Sequence, residues 1–436
     1  MKIDTIIHAT WIAPVEPIDT LYHNYSIAIH EGRIKDLSPK QEILDKYSSD
    51  VEVELTNHLL IPGLVNTHTH SPMSLMRGLA DDLPLMDWLN NHIWPAEQEH
   101  VSAEFVLDGS LLACAEMIKS GTTCFNDMYF FPEITTRAVE QAGMRAKVGL
   151  ILIDFPSAWA SDADEYLAKG IELHDQLRSN SLISTAFAPH APYTVSDAPL
   201  KRIATYAEEL DIPIHIHLHE TADEIEQAVA HSGKRPITRL NELGLLSPRL
   251  LAVHMTQLTK DEIQLVAEAG AHVLHCPESN LKLASGFCPT HELQQSGINV
   301  ALGTDGAASN NDLDMIAEMH TAALLAKAVA NNASAIPAEE ALRMATINGA
   351  RALGLDSEIG SLEIGKSADI TAVDLGGIEN QPVYCPVSQL VYSAGRENVS
   401  NVWVAGNHLL KDKELTTLDE KAILAKAAEW KQKITD

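Results

Sequence analysis

Two imidazoles stand two residues apart in Pro62-Gly63-Leu64-Val65-Asn66-Thr67-His68-Thr69-His70, at the end of an apolar run. In an extended strand such residues share a face, so His68 and His70 can grip one cation together. Three later stretches end apolar runs in the same way: His215-Ile216-His217-Leu218-His219-Glu220, Val253-His254 and Gly303-Thr304-Asp305-Gly306. Neutral imidazole and carboxylate are the usual ligands of a hydrolytic metal that keeps an open position. A lone strand-end histidine is more often a packing or hydrogen-bonding residue. Several of them with an acid, all at strand ends, point instead to a metal centre. Parity alone does not choose among His215, His217 and His219, which share one strand face. Glu220 is an odd number from His217 and falls on the rim just past the strand, where it also suits the N-terminus of the following helix.

The elements that must carry these residues alternate. Apolar strand candidates at Leu59–His70, Thr122–Met128, Arg145–Ile153, Leu182–His190, Ile212–His219, Leu250–Met255, Ala271–Cys276 and Asn299–Asp305 are interleaved with amphipathic helices, among them Ala103–Lys119 and Lys260–Ala269. Eight such strands, apolar on both faces, imply an α/β fold of the closed (β/α)8 TIM type, which gathers its strand C-termini on one rim. Before the barrel, Ile3–Ile12, Ser26–His30 and Arg33–Leu37 are β-rich, and Glu31-Gly32 is a hairpin signal. After a helix at Ala338–Leu353, strands recur at Ile370–Val373, Gln389–Tyr392 and Asn401–Val404. The expected organisation is a small β-sandwich domain made from residues 1–58 and 363–436, flanking a barrel of residues 59–362.

Composition sets the class of partner. The 436 residues carry 31 Lys plus Arg against 60 Asp plus Glu, a formal net charge of -29. Such a surface repels phosphate backbones and anionic lipid, which argues against nucleic acid and membrane as partners. Five cysteines, an odd number with no C-x-x-C, suggest neither a disulfide framework nor a thiolate zinc cluster. With no secretory pattern at the N-terminus and no long apolar run, a cytoplasmic location is expected.

Taken together, His68-Thr69-His70, the fifth-strand histidines with Glu220, His254 and Gly303-Thr304-Asp305-Gly306 resemble the metal-dependent amidohydrolase superfamily, in particular its nucleoside and nucleobase deaminase branch in the triazine hydrolase-like group. The likeness runs nearly end to end. It takes in Trp94-Pro95-Ala96-Glu97, Ala188-Pro189-His190-Ala191-Pro192-Tyr193, His275-Cys276-Pro277-Glu278-Ser279-Asn280 and Gly365-Lys366-Ser367-Ala368-Asp369. The resemblance implies one divalent ion, zinc or else iron, held by His68, His70, His217 and Asp305. Binuclear relatives place a carboxylated lysine at the end of the fourth strand, and here that position reads Ala188-Pro189-His190.

The implied chemistry is hydrolytic deamination of a 6-aminopurine nucleoside by a metal-activated hydroxide. Asp305 would accept the proton of water, His254 would orient it, and Glu220 would protonate the purine ring. Glu97 would bind the ribose hydroxyls, His190 the nucleoside, and Trp88, with Trp94, the pocket wall. A homo-oligomer acting on 5'-methylthioadenosine, adenosine or S-adenosylhomocysteine is the expectation. The loop Phe155–Asp162 contains no arginine to pair an amino-acid carboxylate, which favours the less charged substrates. The competing readings are a deaminase or dechlorinase of guanine, cytosine or an s-triazine, and a non-catalytic barrel scaffold.

Overall fold

The computed structural model describes residues 1–435. Two eight-stranded sheets organise the chain. The central one is all-parallel and runs in sequence order: Leu64–Thr69, Thr122–Asp127, Arg145–Leu152, Ile183–Pro189, Ile214–Leu218, Leu250–His254, His272–His275 and Val300–Leu302. Nearly every residue of these strands is buried, because helices cover the outer face and side chains fill the inside. Two of the expected helices appear with the same bounds. Ala103–Lys119 is capped by Ser102, whose Oγ accepts from Phe105 N, and Lys260–Ala269 opens with a Thr259/Glu262 capping box.

The barrel closes between its first and eighth strands through a mixed seam. Asp305 N donates to His68 O at 3.0 Å, Thr67 Oγ1 to Leu302 O at 2.7 Å, and Asn66 trades two hydrogen bonds with Thr304. Gly303 permits this approach: a Cβ there would lie 2.7 Å from His68 N and 2.9 Å from His68 Cβ.

Both chain ends build the second sheet, in which all eight strands are hydrogen-bonded in one continuous order. Its centre joins Glu52–Pro62 to Ile370–Asp374, pairing Ile370 with Pro62 and Leu60 with Ala372. The expected strand Leu59–His70 is therefore two strands. Leu59–Pro62 belongs to the terminal sheet, and the chain turns into the barrel at Gly63, where a Cβ would fall 2.1 Å from Thr123 Oγ1. Residues Gln389–Tyr392, expected as strand, lie in the helix Pro386–Tyr392, which Pro386 opens as a first-turn residue. A further helix, Glu420–Thr435, leaves the sheet and lies on Ala103–Lys119, with Trp430 edge-on to Phe105 at 5.2 Å and its Nε1 donating to Asp108. The expected helix Ala338–Leu353 is broken at Ala345-Thr346 into Ala338–Met344 and Ile347–Ala352. All five cysteines are free, and no helix among the described residues is long and apolar enough to cross a membrane.

Candidate metal centre

Four side chains from three strand ends meet at the rim of the barrel. The ligand atoms of His68, His70, His217 and Asp305 all lie within 4.8 Å of one another. Asp305 Oδ1 is 3.0 Å from His68 Nε2 and 3.2 Å from His70 Nε2, and His217 Nε2 is 3.2 and 3.3 Å from the same two nitrogens. Donor atoms 3.0–3.3 Å apart are spaced as neighbouring ligands of one divalent ion would be, so these four residues could hold such an ion together.

The outer nitrogens fix this arrangement. His70 Nδ1 donates to Met128 O at 2.6 Å, His217 Nδ1 to His190 O at 2.7 Å, and His68 Nδ1 faces His215 Nε2 at 2.8 Å. Each bond leaves an Nε2 lone pair aimed at the shared centre. Burial draws His217 well below the ordinary histidine range and His68 down to about 4, which keeps both rings neutral as ligands must be. For His70 burial pulls the same way, but the Asp305 carboxylate outweighs it and lifts the ring to about 9. Burial would raise Asp305; hydrogen bonds from His68 and His70 hold it well below the usual carboxylate range. The raised His70 shows that the Asp305 carboxylate draws positive charge to this point; a divalent cation that displaced the proton would meet three imidazole nitrogens and an ionised carboxylate.

Among the fifth-strand histidines the geometry separates three roles. His217 reaches the centre, and His215 supports His68 from beneath. His219 turns away with φ +55°, its Nε2 accepting from Ile237 N. His254 and Asp305 also have positive φ, +73° and +64°. Three non-glycine residues on this rim are thus held in the sparse left-handed region, a local backbone cost that the surrounding structure sustains.

Beside the cluster, Glu220 Oε2 lies 3.7 Å from His254 Nε2, and both residues are almost wholly buried. Burial raises the Glu220 carboxyl, against the pull of His254. Asp305 Oδ2 accepts from Ser279 Oγ at 2.7 Å and Ser309 Oγ at 2.8 Å, and Asn280 Oδ1 accepts from His254 Nδ1 at 2.9 Å. These serines and Asn280 were assigned no role from sequence. Ser279 and Asn280 lie in His275-Cys276-Pro277-Glu278-Ser279-Asn280, but only the fold places that turn beneath the sixth and eighth strands.

Above the cluster opens a cavity of about 690 Å³. Trp88, Trp94, Glu97 and His190 all line it, so every expected pocket residue stands on one wall or another with Glu220, His254 and Asp305 at the floor. Glu97 accepts from Tyr129 Oη at 2.7 Å, and burial pushes its carboxyl up to about 7. The 3₁₀ turn Ser71–Met76 and three short helical pieces between Leu85 and His100 carry the aromatic wall. Phe155, Pro156, Ser157 and Ala158 of the third loop form the opposite side, and no lysine or arginine lines the cavity.

The amidohydrolase family model matches residues 59–409. A 5-methylthioadenosine/S-adenosylhomocysteine deaminase of Teredinibacter turnerae is 54% identical, covering 99% of this chain and 98% of its own. A 5'-deoxyadenosine deaminase of Methanothermobacter thermautotrophicus is 45% identical over 92% of the chain and 93% of its own. Among solved structures, an adenosine deaminase from Xanthomonas campestris with bound zinc superposes with a TM-score of 0.98, at 52% identity, over 100% of this chain and 99% of that one. With the family model spanning the barrel and relatives matching from end to end, this chain belongs to the amidohydrolase family.

Proposed function

We propose that the protein hydrolyses the exocyclic amine of a 6-aminopurine nucleoside, with 5'-methylthioadenosine the substrate that fits best. The observation that carries this reading is the buried Glu220 carboxyl beside His254, directly over the His68, His70, His217 and Asp305 cluster and at the floor of an aromatic cavity. Those four residues would hold one divalent ion, and the zinc named for the Xanthomonas relative suits three imidazoles and a carboxylate. When bound, such an ion lowers the pKa of water toward about 7.

The remaining work falls to side chains. Asp305 takes one proton from the attacking water, and His254, held through Nδ1 by Asn280, presents Nε2 to orient it. Glu220, whose protonated form burial favours, gives its proton to N1 of the purine as oxygen adds to C6. The tetrahedral adduct then collapses. The proton on Asp305 leaves with ammonia, and the C6 hydroxyl proton returns to Glu220, restoring both groups. His190 and Glu97 hold the nucleoside, with Trp88 and Trp94 packing on its apolar surface.

Substrate choice follows from charge. The third-loop wall, built from Phe155, Pro156, Ser157 and Ala158, accepts an apolar 5'-substituent and offers no cation to an amino-acid carboxylate. A missing charged hydrogen bond is worth about 1.5–3 kcal/mol, so S-adenosylhomocysteine should trail methylthioadenosine by at least about tenfold in kcat/KM. The test is ammonia release from metal-loaded protein across methylthioadenosine, adenosine, S-adenosylhomocysteine, free aminated bases and s-triazines. Turnover confined to free bases or triazines would move the assignment to another ring.

A further inference from the structure

Tyr129 follows the second barrel strand and is 4% exposed, yet nothing in the reaction described above uses its hydroxyl. That hydroxyl donates to Glu97 Oε1 at 2.7 Å. The two partners are held very differently. Tyr129 is tied to the rim through its neighbour Met128, whose N donates to Thr69 O at 2.9 Å and whose O accepts from His70 Nδ1 at 2.6 Å. Glu97 sits on the short helix Trp94–His100, within the long loop that crosses the barrel mouth, and its Oε2 has no protein partner among the described residues. A carboxylate on a short loop helix has several rotamers; one strong hydrogen bond from a fixed phenol selects among them.

We propose that Tyr129 is the positioning residue for sugar recognition: its hydroxyl holds Glu97 so that the free Oε2 faces the cavity and accepts from a vicinal ribose diol. The proposal rests on the purine nucleoside reading and deepens it, because it makes selectivity for ribosides over sugars lacking the diol depend on a residue that does not itself touch the reacting atoms. It also links two functions through two consecutive residues, since the Met128 carbonyl beside Tyr129 fixes the ring of His70.

The experiment compares adenosine with 2',3'-dideoxyadenosine, which has no diol to offer Glu97. In metal-loaded Tyr129→Phe, KM for adenosine should rise about tenfold, the effect of losing one charge-assisted hydrogen bond, with kcat within about twofold of the parent. KM for the dideoxy substrate should be unchanged. In Glu97→Gln, adding Tyr129→Phe should produce no further rise, since the group it positions is already impaired. An equal rise in KM for both sugars, a fall in kcat alone, or additive effects in the double variant would overturn the positioning role. Parent protein that deaminates neither these two compounds nor 5'-methylthioadenosine would sink the nucleoside reading itself and this role with it, which separates the two failures.

Discussion

At the scale of single residues, the centre assigns different fates to chemically identical side chains. His217→Ala should abolish stoichiometric metal binding, measured by elemental analysis after dialysis. His219→Ala should leave it intact, because His219 Nε2 is occupied by Ile237 N. His215→Ala occupies the middle ground: losing the partner of His68 Nδ1 should weaken metal affinity about 10–100-fold without removing a ligand. Glu220→Gln keeps every ligand but cannot cycle a proton, so metal content should hold while kcat drops about 10²–10⁴-fold. Glu97 supplies a pH test. Its carboxyl is raised to about 7 by burial, opposed by the Tyr129 hydroxyl, and its ionised form accepts more strongly from sugar hydroxyls than its neutral form. KM for adenosine should therefore fall as pH rises through that value, or somewhat below it with a cation behind His70, while KM for the dideoxy compound stays flat. Equal slopes for the two substrates would detach Glu97 from the sugar. The spacing of His68 and His70 and the acid after Gly303-Thr304 were legible because ligands on strand ends keep fixed parity. Ser279, Ser309 and Asn280 were not, since serine and asparagine are ordinary loop residues until the fold brings them to Asp305 and His254.

Elements were legible where burial was uniform. Eight apolar runs gave eight parallel strands because strands covered on both faces need no alternation. The boundary at Gly63 escaped, because Leu59–Pro62 and Leu64–Thr69 are equally apolar and only hydrogen bonding assigns them to different sheets. Pro386–Tyr392 misled in the same way, as Val387, Leu390 and Val391 suit a strand as well as one buried helix face. The helix Glu420–Thr435 is mostly polar, and its anchor Trp430 has meaning only against Phe105 and Asp108. The seam between the first and eighth strands is the element most sensitive to substitution. Gly303→Ala places a methyl against His68 N and Cβ, which should cost about 1–3 kcal/mol in urea unfolding and weaken metal binding at the same time. A variant that lost stability but kept full metal affinity would show that the seam does not set the position of His68.

At the scale of the whole molecule, a buried ion pair joins the barrel to the terminal sheet at the N-terminal end of the barrel strands. Arg145 on the third strand reaches Asp369 at 2.9 Å and Ser367 Oγ at 3.0 Å, where the chain re-enters the terminal sheet. Asp369→Ala would strand a guanidinium in a dry interface and should lower stability by about 3–5 kcal/mol, read as a shifted urea midpoint. Separate barrel and sheet transitions in the parent protein would mean that this joint does not couple them.

The same sheet, drawn from both ends of the chain, also imposes an order in time. At about 5–20 residues per second of synthesis, Glu52–Pro62 waits roughly 15–60 s for its partner Ile370–Asp374. His68 and His70 emerge early, yet Asp305 and the closing eighth strand follow long after. During that interval the nascent chain displays a bare pair of imidazoles beside unpaired strand edges. The complete four-residue cluster can therefore form only after the eighth strand has been made, which places metal loading late in the life of the nascent chain.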